Sequence, residues 1–160
     1  WFSWDMRNRV LISFTIIVLA GILQNSNFLN VLGIKPNLLL VALISLSFVI
    51  NFFTNYLVFL LIGLFFLRFT MAPELEIFVF TVLSLAAFFL AKRLPWLWAA
   101  NSIALIFSST LIFYLLLKPS FIYDHFAVFI GEAIYNSLLG ILVFLAIQPR
   151  HGDIRRLQHV

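Results

Sequence analysis

The chain has 160 residues, of which 64% are hydrophobic and only 10% charged, with a formal net charge of +4 and no cysteine. A soluble domain is about 45–50% apolar, so this chain lacks the polar side chains that a water-facing surface requires. Without cysteine there are no disulfides, thiolate metal sites or cysteine nucleophiles. The positive charge fits anionic lipid at the cytoplasmic ends of a membrane protein, and nucleic acid is not an expected partner, because no basic stripe interleaves with exposed aromatics.

Met6-Arg7-Asn8-Arg9 followed by Val10 to Leu23 reads as a natural start, with Trp1 to Asp5 ahead of it. The stretch resembles a signal peptide, but Gln24-Asn25-Ser26-Asn27 is no small-x-small cleavage site and further apolar segments follow, so an uncleaved first span over about 10–24 is expected. Phe28 to Leu32 is a short apolar piece placed near the interface. The second span, about 37–50, follows Lys35-Pro36, with Pro suited to a first helical turn. The third, about 56–72, is separated from it because one helix from Asn37 to Ala72 would extend roughly 50 Å, against a hydrocarbon core of about 30 Å. Asn51, Thr54 and Asn55 suit the intervening turn. The fourth span, about 75–91, ends at Lys92-Arg93-Leu94-Pro95. The fifth, about 96–117, stops at Lys118-Pro119. The last, about 126–147, ends at Gln148-Pro149-Arg150. No linker divides the chain, so residues 1–160 are read as a single all-α transmembrane domain of six helices.

The positive-inside rule supplies an orientation. With the N-terminus cytoplasmic, the inner side carries Arg7, Arg9, Lys92, Arg93, Arg150, Arg155 and Arg156, and the outer side Lys35, Arg68 and Lys118. Both termini are therefore expected in the cytoplasm. Trp1, Trp4, Trp96 and Trp98 fall near the inner ends, where amphipathic rings anchor.

Among the polar residues, Glu132 stands out because it lies within a span, where ionisable groups face a bundle interior or a cavity. Asn136 and Gly140 follow on the same face, with the small Ala133 and Ser137 beside them. Two readings stand: a polar contact site for a ligand or partner helix, or an interhelical hydrogen-bond staple with Glu132 neutral or paired with Arg68. Arg68, Glu74 and Glu76 read as ordinary loop charges rather than a substrate site. Asp124-His125 is an unsuitable catalytic pair, since adjacent residues point apart. His151 and His159 belong to a basic tail. No Gly-rich phosphate loop, no H-E-x-x-H and no carboxylate pair at metal-ligand spacing occurs. No catalytic, metal or cofactor site is expected.

The stretch Leu32-Gly33-Ile34-Lys35-Pro36-Asn37-Leu38-Leu39-Leu40 resembles the rod shape-determining protein MreD family, whose second helix opens on a similar Gly-x-x-Pro-(Asp/Asn)-Leu-Leu-Leu pattern. Glu132-Ala133-Ile134-Tyr135-Asn136-Ser137-Leu138-Leu139 is similar to the closing Tyr-Asn helix of that family. In the third segment Leu67, within Gly63-Leu64-Phe65-Phe66-Leu67, departs from the family's Gly-Leu-Leu-x-Asp pattern. The resemblance implies a non-enzymatic, multi-pass scaffold in the bacterial inner membrane, within the cell-wall elongation complex. Its implied partner is an MreC-like single-span protein, and through it the glycan polymerase and class B penicillin-binding protein. The family's fold is similar to substrate-binding subunits of energy-coupling-factor vitamin transporters, which gives the alternative reading. Those subunits carry an Ala-x-x-x-Ala pair in the first helix, where this chain has only Ala20-Gly21. On the scaffold reading, Lys35, Pro36 and Asn37 together with the Glu132/Asn136/Gly140 face shape a surface or central cleft for the partner.

Overall fold

One short helix lies at the centre, and the others surround it. A computed structural model describes residues 3–26, 29–30, 34–68, 74–94 and 98–147. They form seven helices, α1 Ser3–Ser26, α2 Leu38–Val49, α3 Phe53–Arg68, α4 Glu74–Ala91, α5 Trp98–Leu117, α6 Pro119–Asp124 and α7 Phe126–Ile147, with no strand among the described residues. In α2 every residue from Leu38 to Phe48 is buried, and the helix touches α1, α3, α4, α5 and α7. A helix apolar all round has no face to give to water, and α2 gives none.

The surrounding helices are built the other way. Leu11 and Phe14 on α1, Leu61 and Phe65 on α3, Phe78 on α4, Leu116 on α5, and Leu138 and Leu142 on α7 all point outward and are exposed. Meanwhile Ser13, Ser45, Ser47, Ser84, Ser102, Ser109, Thr110, Glu132 and Asn136 are buried. Polar groups turn in and large apolar groups turn out, the arrangement suited to a lipid solvent. Among the described residues three helices are long and apolar enough to cross a membrane: Glu74–Ala91, Ala99–Leu117 and Phe126–Ile147. The other apolar stretches are shorter, Val10–Ser26 within α1 among them, and α2, at 12 residues, is only about 18 Å long.

Contacts between helix ends show that α1, α3 and α5 run one way and α2, α4 and α7 the other. The end of α1 meets the end of α3, where the Asn25 amide donates to the Phe66 carbonyl (3.5 Å). The start of α3 meets the later part of α4, where the Tyr56 hydroxyl donates to the Ser84 carbonyl (2.7 Å). Phe48 and Phe144, near the ends of α2 and α7, pack edge to face at 6.4 Å. The bundle thus has an Asn37 end and a Lys92 end.

The first expected span, about 10–24, lies inside the longer α1. The last span coincides with α7, and the fourth starts one residue later than α4. The third differs: α3 begins at Phe53, so Thr54 and Asn55 are helical and the turn is made by Ile50, Asn51 and Phe52. Residues 69–73, 95–97, most of the 28–32 stretch and the basic tail lie outside the described residues. The helix α6 was not expected, because Pro119 reads as a stop. Proline also suits the first helical turn, where its missing N–H costs nothing, and here it opens α6.

Candidate functional site

Burying a short helix leaves its first N–H groups without water, and each must find a partner. At the Asn37 end these partners come from three helices. Asn37 caps its own helix, its side-chain oxygen accepting from the Leu40 N–H at 3.3 Å. The Gln24 side-chain oxygen, from α1, accepts from the Leu39 N–H at 2.9 Å. The Asn136 side-chain oxygen, from α7, accepts from the Asn37 N–H at 3.0 Å.

That last contact fixes how the Asn136 amide is turned. With Oδ1 committed to Asn37, its Nδ2 faces Thr110 on α5 and donates to Oγ1 at 3.2 Å. Thr110 is free to accept, because its own hydroxyl proton goes to the Ile106 carbonyl (2.9 Å). One turn nearer the start of α7, Glu132 accepts from the Tyr114 hydroxyl of α5 at 2.5 Å. One turn further along, Gly140 lets α2 and α5 approach. Its carbonyl accepts from the Ser45 hydroxyl at 3.3 Å, and a Cβ there would meet the Ile106 side chain. A stripe on α7 therefore joins α7 to α5 and α2.

In front of this seam the chain enters α2 through an irregular segment. Pro36 is buried and Lys35 exposed, and the Ile34 side chain occupies the space that a Cβ on Gly131 of α7 would need. Helix α7 thus covers part of this irregular segment.

The other end of α2 is held by a single cation. Lys92, just past α4, donates from Nζ to the Ile50 carbonyl at 2.9 Å and to the Asn51 side-chain oxygen at 3.2 Å. Its ammonium also lies 5.5 Å from the centre of the Phe88 ring. Partial desolvation there pulls its pKa below the ordinary lysine value, while a cation at a helix C-terminus complements the carbonyl dipoles.

The expected site residues thus divide into two groups. Asn37, Glu132, Asn136 and Gly140 come together with buried Pro36 beside them, and they face the interior rather than an outer surface. Arg68 does not join them. It is exposed at the end of α3, and α3 and α7 do not pack together among the described residues. Glu132 accepts from the Tyr114 hydroxyl, and of the two states weighed for it, neutral or paired with Arg68, the second does not occur here. Leu67, where the family pattern has an acid, is buried in the apolar core. Gln24, Thr110, Tyr114 and Lys92 belong to the arrangement and were not singled out in the sequence. Among the described residues no group of His, Asp and Glu is placed to hold a metal ion. Apart from the Asn37 cap and the Thr110–Ile106 bond, the side-chain hydrogen bonds of the seam join one helix to another, so what this geometry does is hold helices in register. Comparison with family models, curated proteins and solved structures finds no match to the chain.

Proposed function

We propose that the protein is a multi-pass protein of the bacterial inner membrane. In this reading α1 to α5 and α7 make six passes, and both termini lie in the cytoplasm. It acts as a non-enzymatic scaffold of the cell-wall elongation complex, in the manner of the MreD family. The outward apolar faces of five helices support the membrane part. The scaffold part rests on one observation, the hydrogen bond from the Asn37 N–H to the Asn136 side chain. Those two residues belong to the two motifs on which the family resemblance rests, far apart in sequence and joined at the start of α2. A pair of motifs that meet to seal a buried helix serves architecture rather than chemistry. The partner is an MreC-like single-span protein, whose helix packs on an outward apolar face, and through it the polymerase and transpeptidase of the complex.

The test is co-expression with the MreC-like protein of the same genome, followed by purification in mild detergent. Stable co-elution is expected, and its absence alongside normal insertion of both proteins would remove the scaffold reading. A thermal-shift screen against vitamin-like ligands tests the transporter alternative on the same sample, where a stabilising ligand would favour it.

A further inference from the structure

Helix α6 is the one element that six membrane passes do not require. It runs over six residues from Pro119 to Asp124 with none buried, and among the described helices it packs on α5 and α7 alone. Its exposed side mixes polar and aromatic groups: Pro119, Ser120, Tyr123 and Asp124 are exposed, Tyr123 at 82%, and Phe126, the first residue of α7, is 60% exposed. Its inward side is aromatic too. The Phe121 ring stacks on Tyr114 at 4.9 Å with 15° between planes, and lies 5.2 Å from the His125 ring. Lys118 and Asp124, at its two ends, are exposed.

Position sharpens the meaning of this composition. α5 has 20 residues and α7 has 22, each spanning about 30 Å, the thickness of a hydrocarbon core. The link between them therefore falls at the rim of the bilayer. Exposed Leu115 and Leu116 lead into it from α5, and Phe126 leads out into α7, so the outward apolar belt flanks α6 on both sides. Tyrosine at that level places its ring among acyl chains and its hydroxyl among headgroups, and a charge at each end of the helix matches the polar side of the boundary.

We propose that α6 is an interfacial helix, seated in the headgroup–acyl boundary of the bilayer at the Asn37 end and anchored there by Tyr123 and Phe126. The inference rests on the membrane reading above. Through the Phe121–Tyr114 stack, this anchor also sets the ring whose hydroxyl reaches Glu132.

Because the chain has no cysteine, a single introduced cysteine takes a nitroxide label at one known place. Tyr123→Cys, Phe126→Cys and Leu138→Cys are made in the full chain, labelled and reconstituted into phosphatidylcholine–phosphatidylglycerol vesicles. Collision rates with oxygen and with a water-soluble nickel chelate then report depth. The Leu138 label, on the outward face of α7, tests membrane burial itself and is expected to favour oxygen strongly. The Tyr123 and Phe126 labels are expected at an oxygen-to-nickel ratio between that of Leu138 and that of free label in buffer. If those two match free label while Leu138 stays shielded from nickel, the interfacial seat is overturned and the membrane reading survives. If Leu138 also matches free label, both fall.

Discussion

The two ends of α2 are closed by different chemistry. At the Asn37 end, uncharged amides from three helices meet the first N–H groups of a helix that has no water to turn to. At the Lys92 end, one long cationic side chain reaches over an aromatic ring to a terminal carbonyl. Lipid-soluble helices gain little from apolar contact with each other, since lipid tails are as apolar as leucine. Close packing and interhelical hydrogen bonds decide how they associate. The amide end should therefore carry more of the structure than the lysine end, because its donors are dry and have no substitute partner.

Substitutions at the two ends put that ranking to the test. The largest effect is expected for Asn136→Leu, which orphans the Asn37 N–H and strips Thr110 of its donor. A backbone N–H left without an acceptor, beside a Thr110 hydroxyl that keeps only its bond to Ile106, should cost about 2–3 kcal/mol, read as a loss of unfolding free energy by steric trapping in bicelles. Gly140→Ala comes next: the added methyl meets Ile106, and overpacking of this kind costs about 1–3 kcal/mol. A lowered thermal midpoint in detergent, with Ile106→Ala on the Gly140→Ala background restoring part of it, would show the cause to be steric. Gln24→Ala removes one acceptor, from the Leu39 N–H, and should cost about 1–2 kcal/mol. An unchanged midpoint would mean that water reaches the Asn37 end, and the contrast drawn above would be lost.

Lys92→Met should do least near neutral pH, within about 0.5 kcal/mol, since an exposed carbonyl can turn to water. Its signature is in the pH dependence. Desolvation lowers the Lys92 pKa from the ordinary 10.5 in the folded protein. Between the folded and unfolded values the unfolded chain holds more protons, so stability contributed by this group rises with pH through that alkaline window. Thermal scans toward pH 10.5 should show this rise in the parent protein and a flatter profile in Lys92→Met.

Punctuation made the helix limits legible in the sequence. Pro149 and Gln148 closed the last span, Lys92-Arg93 closed the fourth, and a length argument split α2 from α3. The central place of α2 was not legible, because a run of a dozen residues that is apolar but for Ser45 and Ser47 has too little periodicity to separate a core face from a lipid face. Glu132 and Asn136 were recognised as a stripe, and Glu132 was weighed as neutral or paired with Arg68, but Tyr114 was passed over. An antiparallel fold of α5 against α7 offers the clue: Tyr114 lies just before one end of the α6 connection and Glu132 just after the other, at similar heights. Gln24 was read as the polar close of α1, although the helix continues to Ser26 and its side chain belongs to the start of α2.

The seal on the Asn37 N–H comes from a residue 99 positions later in the chain. A ribosome delivers α2 long before it delivers α7, so the newborn helix leaves the insertion channel with an amide still open. It must keep water or the channel wall at that end until α7 arrives. This end is therefore completed only once α7 has been made, and a chain truncated before α7 presents an unfinished polar end to the quality-control proteases of the membrane.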